Sequence, residues 1–178
     1  MVIALSGRRI DAFNAKDVRF PLRNVDLVGR RIRSMFEADG VKALVTSAAC
    51  GADLIALSEA GALGLPRRIV LPSTRDDFKR NSVLDRPGAW SSLYDEVLEA
   101  VSASGNLIVM DRALQRPDYS AASLAILDET AALAKELGDS PAAALIWDGS
   151  SRGDHDITEE FGEEARKRGL RVIEISTL

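Results

Sequence analysis

Short apolar runs alternate along this chain with longer amphipathic ones. VIALS (2–6), VKALVTS (41–47), RRIVLP (67–72), NLIVM (106–110), AAALIW (142–147) and LRVIEI (170–175) read as strands. Between them, PLRNVDLVGRRIRSMFEAD (21–39) carries a helical stripe of Leu22, Val25, Leu27, Val28, Ile32, Met35 and Phe36. Pro21 fits the first turn of that helix and Gly40 closes it. Further helices are predicted at 92–104, 119–138 and 157–169, and one more begins near residues 49–51.

Apolar strands separated by helices call for parallel pairing with helices on both faces. The prediction is one α/β domain over residues 1–178: a doubly wound, mostly parallel sheet of five to six strands, Rossmann-like, in the order 3-2-1-4-5. Crossovers of one hand then gather the functional loops at the carboxyl ends of the strands. The long irregular stretch PSTRDDFKRNSVLDRPGAW (72–90) reads as a functional loop or lid, with a short helix around 75–81.

Composition narrows the class. With 178 residues, 46% hydrophobic and 28% charged, the chain suits a globular domain that folds without staples. A net charge of -4 and 5% aromatic content argue against a nucleic-acid partner. One cysteine excludes an intramolecular disulfide, and neither a signal peptide nor a membrane-spanning run is visible, so a cytoplasmic location is expected. A single histidine and no cluster with zinc spacing predict no metal, and no cofactor is expected.

The candidate chemistry lies in three strand exits. SAACGADLIALSEAGALG (47–64) packs Ser47, Ala48, Ala49, Cys50, Gly51, Ala52 and Asp53 where a strand turns into a helix. A helix start offers unpaired N–H groups and a positive dipole end to an anion, and such small side chains admit a phosphate or sugar to that backbone. The alternative is that they let the helix pack tightly on the sheet. At the first exit, SGRRID (6–11), Ser6 and Gly7 fit a tight turn and Arg8 or Arg9 is placed to reach the same anion. At the fifth, WDGSSRGDHDITEEF (147–161), Gly149 and Gly153 permit unusual dihedrals, and Asp156 with Glu159 has capping-box-like spacing. Cys50 at a helix start invites a nucleophilic reading, with His155 as its base. In the order 3-2-1-4-5 their strands stand about 14 Å apart, which excludes that dyad.

The turn SGRRID followed by VTSAACGADLIALSEAGALGLPRRIVLP resembles the SLOG superfamily, which includes the Lonely Guy phosphoribohydrolases and the DNA-processing protein A domain. Ser47, Ala48, Ala49, Gly51 and Asp53 fall on its middle motif, and the strand ending in LP places Pro72 beside it. The WDG segment, with Asp148 and Gly149, and the segment 77–90 resemble a poorly characterised bacterial subgroup of stand-alone or fused domains. The resemblance implies a Rossmann-like domain binding a nucleotide or nucleotide-derived ligand across the carboxyl ends of the strands, and a homo-oligomer. The Lonely Guy signature P-G-G-x-G-T-x-x-E is replaced here by GDHDITEEF, with Thr158, Glu159 and Glu160 but no paired glycines.

Two functions follow as expectations. One is a binding or sensor domain whose ligand touches Ser6, Gly7, Arg8, Ser47, Ala48, Ala49, Cys50, Gly51, Asp53, Pro72, Asp148, Gly149 and Thr158, its anion seated on the amides near residues 49–51. The other is an N-glycoside hydrolase acting on nucleoside monophosphates, with Glu159, Glu160 or Asp53 as its carboxylate.

Overall fold

The computed structural model describes residues 1–110 and 118–178. Six strands form one wholly parallel sheet: β1 (Val2–Gly7), β2 (Ala43–Thr46), β3 (Arg67–Leu71), β4 (Leu107–Val109), β5 (Pro141–Trp147) and β6 (Arg171–Ser176). The helices are α1 (Val25–Ala38), α2 (Ala52–Ala62), α3 (Arg75–Ser82), α4 (Trp90–Ala103), α5 (Tyr119–Glu136) and α6 (Ile157–Lys167). A 3₁₀ turn at Leu22–Asn24 leads into α1.

Alternate residues of each strand feed two cores. Ile3, Leu5, Leu44, Ile69, Leu71, Ala144 and Ile146 pack with buried side chains of α1, α2 and α4. Val2, Ala4, Ala43, Val45, Val70, Ala143 and Leu145 pack with those of α5 and α6. This two-sided burial is why the strands read as unbroken apolar runs rather than alternating ones.

The strand order is β4-β3-β2-β1-β5-β6. The expected 3-2-1 run is present. The fourth strand, however, lies outside β3 instead of beside β1, and β5 takes the place next to β1. The chain therefore winds outward from β1 through three strands, then crosses the sheet and winds outward again from β5. Crossovers of one hand travelling in opposite directions put their helices on opposite faces, as α1, α2 and α4 stand against α5 and α6. The direction reverses between β1 and β5, and a crevice opens at such a reversal.

The stretch 72–90 holds the short helix expected within it. Thr74 caps α3, its side chain accepting from the Asp77 N–H, and Asp76 and Asp77 sit in the first turn.

Candidate functional site

A cleft of about 280 Å³ opens at the carboxyl ends of β1 and β2. Its walls come from residues 5–9 of β1 and its continuation, Ser47 and Ala49 after β2, and Asp53 in the first turn of α2. Asn81 and Ser82 at the end of α3, Tyr119 and Ser123 at the start of α5, and residues 155–158 leading into α6 complete it. Arg9 and Arg152 bring positive charge, and Phe78 and Tyr119 bring aromatic rings. Across the opening the hydroxyls of Ser82 and Tyr119 are hydrogen-bonded at 3.0 Å.

The small residues before α2 have a structural cause. Beyond Gly7 the chain runs on past residues 48–52, and Arg9 bridges Gly51 in antiparallel fashion. A Cβ on Gly51 would stand 2.7 Å from the Arg8 carbonyl oxygen, and its φ of +101° lies where only glycine is at ease. A Cβ on Gly7 would meet the Ala52 Cβ at 2.4 Å and the Ile146 carbonyl oxygen at 2.7 Å. Tight packing of α2 on β1 thus accounts for Gly7, Gly51 and Ala52. The amides there are also engaged: Ala49 N–H donates to Asp53 Oδ2 at 3.2 Å, Cys50 N–H to the Ser82 carbonyl at 3.0 Å, and Ala52 N–H to the Arg8 carbonyl at 3.1 Å. The expectation that an anion rests on the amides near residues 49–51 is corrected accordingly, because the protein itself occupies the Ala49 and Cys50 donors.

Arg8 plays a different part from the one expected. Its side chain is 1% exposed and ties together the connection from β5 to α6. Nε donates to Asp148 at 2.8 Å, Nη1 to Asp156 at 2.6 Å and Nη2 to the Ser150 carbonyl at 2.6 Å. The guanidinium also lies 5.4 Å from the Trp147 ring centroid. Burial alone lowers the Arg8 pKa, but the bonds and charges of Asp156 and Asp148 outweigh it and hold the pKa above its ordinary value. Burial pushes both carboxyls up, yet hydrogen bonds from Ser150 and Arg8 hold Asp148 below the usual range, and Arg8 with the Arg152 amide does the same for Asp156. Arg19 donates to the other oxygen of Asp148 at 2.8 Å. With its charge matched by two carboxylates, Arg8 fastens the wall of the cleft instead of holding a ligand's anion.

Asp53 is the buried acid of the cleft. It is 7% exposed, and burial pushes its carboxyl up to about 7 against the opposing pull of the Ala49 amide, Thr46 and Arg9. Nearby, the Ser47 hydroxyl oxygen is buried with no hydrogen-bond partner among the described residues. Arg152 is exposed, and no ion pair is formed by its side chain among the described residues. Desolvation and the neighbouring charge of Arg8 lower its pKa, Arg19 and Arg9 adding to the effect. Asp156 opposes them and raises it.

Of the expected ligand-binding residues, Ser6, Gly7, Arg8, Ser47, Ala49, Asp53 and Thr158 line the cleft. Ala48, Cys50, Gly51, Pro72, Asp148 and Gly149 lie outside its lining, as do Glu159 and Glu160. Arg152, Asn81, Ser82 and Tyr119 were not foreseen as site residues. Arg152 and Tyr119 sit within segments whose loop and helix-start positions were legible, but Asn81 and Ser82 depend on α3 folding over the edge.

Cys50 and His155 do not pair. Their strands β2 and β5 both flank β1, so they stand two spacings apart, about 10 Å, and not the three expected. The separation of side chains comes instead from burial. Cys50 is buried in the core, which pushes its thiol up to about 11, while His155 is exposed. Among the described residues no group of three or more His, Cys, Asp or Glu side chains is placed to hold a metal ion.

Fold and cleft together define a doubly wound α/β protein with a small cleft at its sheet reversal. No family pattern matches the chain, and no curated protein matches it. Among solved structures it is similar to the X-ray structure of DNA processing protein A from Streptococcus pneumoniae, at 15% sequence identity and a TM-score of 0.43. That alignment covers 96% of this chain and 57% of the other, so the chain spans little more than half of that protein's length. No helix among the described residues is long and apolar enough to cross a membrane.

Proposed function

We propose that the cleft binds a single nucleotide or nucleotide-derived small ligand, and that the protein acts as a binding or sensor domain of the kind its motifs resemble. The observation that carries this reading is the joining, in one cleft at the β1–β5 reversal, of Arg152, whose side chain forms no ion pair among the described residues, with the aromatic rings of Phe78 and Tyr119. A cation and hydroxyls suit a phosphate and a sugar, and the rings suit a base. The volume of about 280 Å³ lies just below the roughly 300–1,000 Å³ of small-molecule sites, which favours one nucleotide over a dinucleotide. A thermal-shift series over nucleoside monophosphates, cyclic nucleotides and adenine nucleotides tests it. At 100-fold excess over Kd the right ligand stabilises by about 2.7 kcal/mol, roughly 5–10 °C in a chain of this size. The absence of any shift across that series overturns the reading.

A second reading, hydrolysis of the N-glycosidic bond of a nucleoside monophosphate, is favoured by one observation. A carboxyl with a pKa of about 7 inside the cleft can carry or accept a proton at neutral pH, and Asp53 is that group. Release of free base from AMP, lost in Asp53→Asn, supports it; nucleotides that bind and stay intact remove it.

A further inference from the structure

Asp53 occupies the place at the start of α2 where a ligand's anion was expected. Its carboxyl accepts from the Ala49 amide, and no cation bonds to it among the described residues. The Thr46 hydroxyl pulls the carboxyl down only in part, because it also donates to the Leu5 carbonyl at 2.9 Å. Burial outweighs that pull and the Ala49 amide together, so the neutral carboxyl is the form this place favours. The charged and titratable groups around the cleft do not compensate. Arg8, from β1, is spent on Asp148 and Asp156. Arg9 acts on Asp53 from a distance and is already paired with Asp85 at 2.9 Å. From α3 come Asn81 and Ser82, which are uncharged, and from α5 comes Tyr119. The connection into α6 adds Arg152, His155 and Asp156, none of which bonds to Asp53.

We infer that Asp53 is the proton-carrying group of the cleft: it takes up a proton from solvent when an anionic group enters, so anion affinity falls as pH rises past neutrality. Taking that anion to be a nucleotide's phosphate rests on the reading above. As a neutral acid Asp53 stands beside an anion without repulsion and offers an O–H; as a carboxylate it repels the anion at close range in a site of low dielectric.

Inorganic sulfate tests this directly, because its charge does not change near neutrality, unlike that of a phosphate monoester. Sulfate affinity of the full chain, followed through amide NMR shifts, should fall about tenfold between about pH 6 and about pH 8 if one group of pKa about 7 governs it. Asp53→Asn, which keeps the shape of the neutral acid, should bind sulfate equally at both. Dependence that persists in Asp53→Asn would assign the effect to a group other than Asp53 and overturn the inference. So would pH-independent sulfate binding in the natural chain, or none at all. The carboxyl ¹³C shift of Asp53 in the natural protein decides the matter even if the variant fails to fold: a midpoint near 7 supports the inference and one near 4 overturns it. The two readings fail separately. A pH-dependent sulfate site that no nucleotide enters removes only the nucleotide, and nucleotides bound with no pH effect on sulfate remove only the proton.

Discussion

Arg8 Nη1 stands 2.6 Å from Asp156 Oδ1, and both side chains are 1% exposed. The pair joins the end of β1 to the N-cap of α6, since Asp156 also accepts from the Thr158 and Glu159 amides. One arginine thereby holds in place the wall that carries Arg152, His155 and Thr158. The tight turn expected at the exit of β1 is in fact an anchor whose counter-charges lie some 140 residues further along.

Removing Arg8 should be costly. Arg8→Ala leaves the buried carboxylates of Asp148 and Asp156 without their common partner, and breaking a buried pair in this way costs about 3–5 kcal/mol. In urea denaturation Asp156→Asn should cost less than this. The double variant should fall well short of the sum of the two losses, because they remove parts of one network. Additive losses would show that the two residues do not act together.

Stability should depend on pH in two opposing ways. Asp148 and Asp156 are held below the usual carboxyl range, so their contribution is complete above an unfolded-state pKa of about 3.9 and is lost as pH falls through their lower folded values. Asp53 is raised to about 7, so its contribution is complete below about pH 3.9 and is lost as pH climbs to about 7, with no change beyond. Urea midpoints measured across this range should decline for the natural chain from about pH 4 to 7 more than for Asp53→Asn. Parallel curves for the two would place the titration elsewhere.

Much of the architecture was legible because it rests on local pattern. All six strands announced themselves as apolar runs, and the short helix expected around 75–81 is α3, which Thr74 caps. The position of β4 was not legible: LIV is short, and nothing in it distinguishes a place beside β1 from one outside β3. At the candidate site, Ser6, Gly7, Ser47, Ala49, Asp53 and Thr158, expected from the strand exits, come together at one edge. It misjudged the small residues, whose room is filled by the continuation of β1, and it could not reveal that Arg8 is consumed by Asp148 and Asp156. Contacts between residues so distant in sequence leave no local mark.

Cys50 should behave as an inert core residue. It is buried and its thiol is pushed up to about 11 by burial, so almost no thiolate exists at neutral pH. Iodoacetamide labelling read by mass spectrometry should therefore proceed at the rate of unfolding and accelerate in urea. Rapid modification of the folded protein would contradict the burial. Cys50→Ala should leave ligand binding unchanged, since the thiol lies outside the cleft.

Gly7 gives the most direct test of how β1, α2 and the cleft depend on one another. In Gly7→Ala the new methyl would stand 2.4 Å from Ala52 Cβ, 2.7 Å from the Ile146 carbonyl oxygen and 2.9 Å from Ile146 Cβ. Neither the β5 backbone nor the first turn of α2 can yield without moving a packed layer, so a loss of about 1–3 kcal/mol is expected. Adding Ala52→Gly removes one of the three contacts and should restore part of that stability, leaving the share due to Ile146. Because Asp53 follows Ala52 directly, displacement of α2 should also shift the Asp53 carboxyl relative to Ser47. Ligand affinity in Gly7→Ala should then fall by more than the stability loss alone explains, and recover in the double variant. An unchanged affinity in a destabilised Gly7→Ala would mean that the cleft does not rely on the seating of α2 against β1.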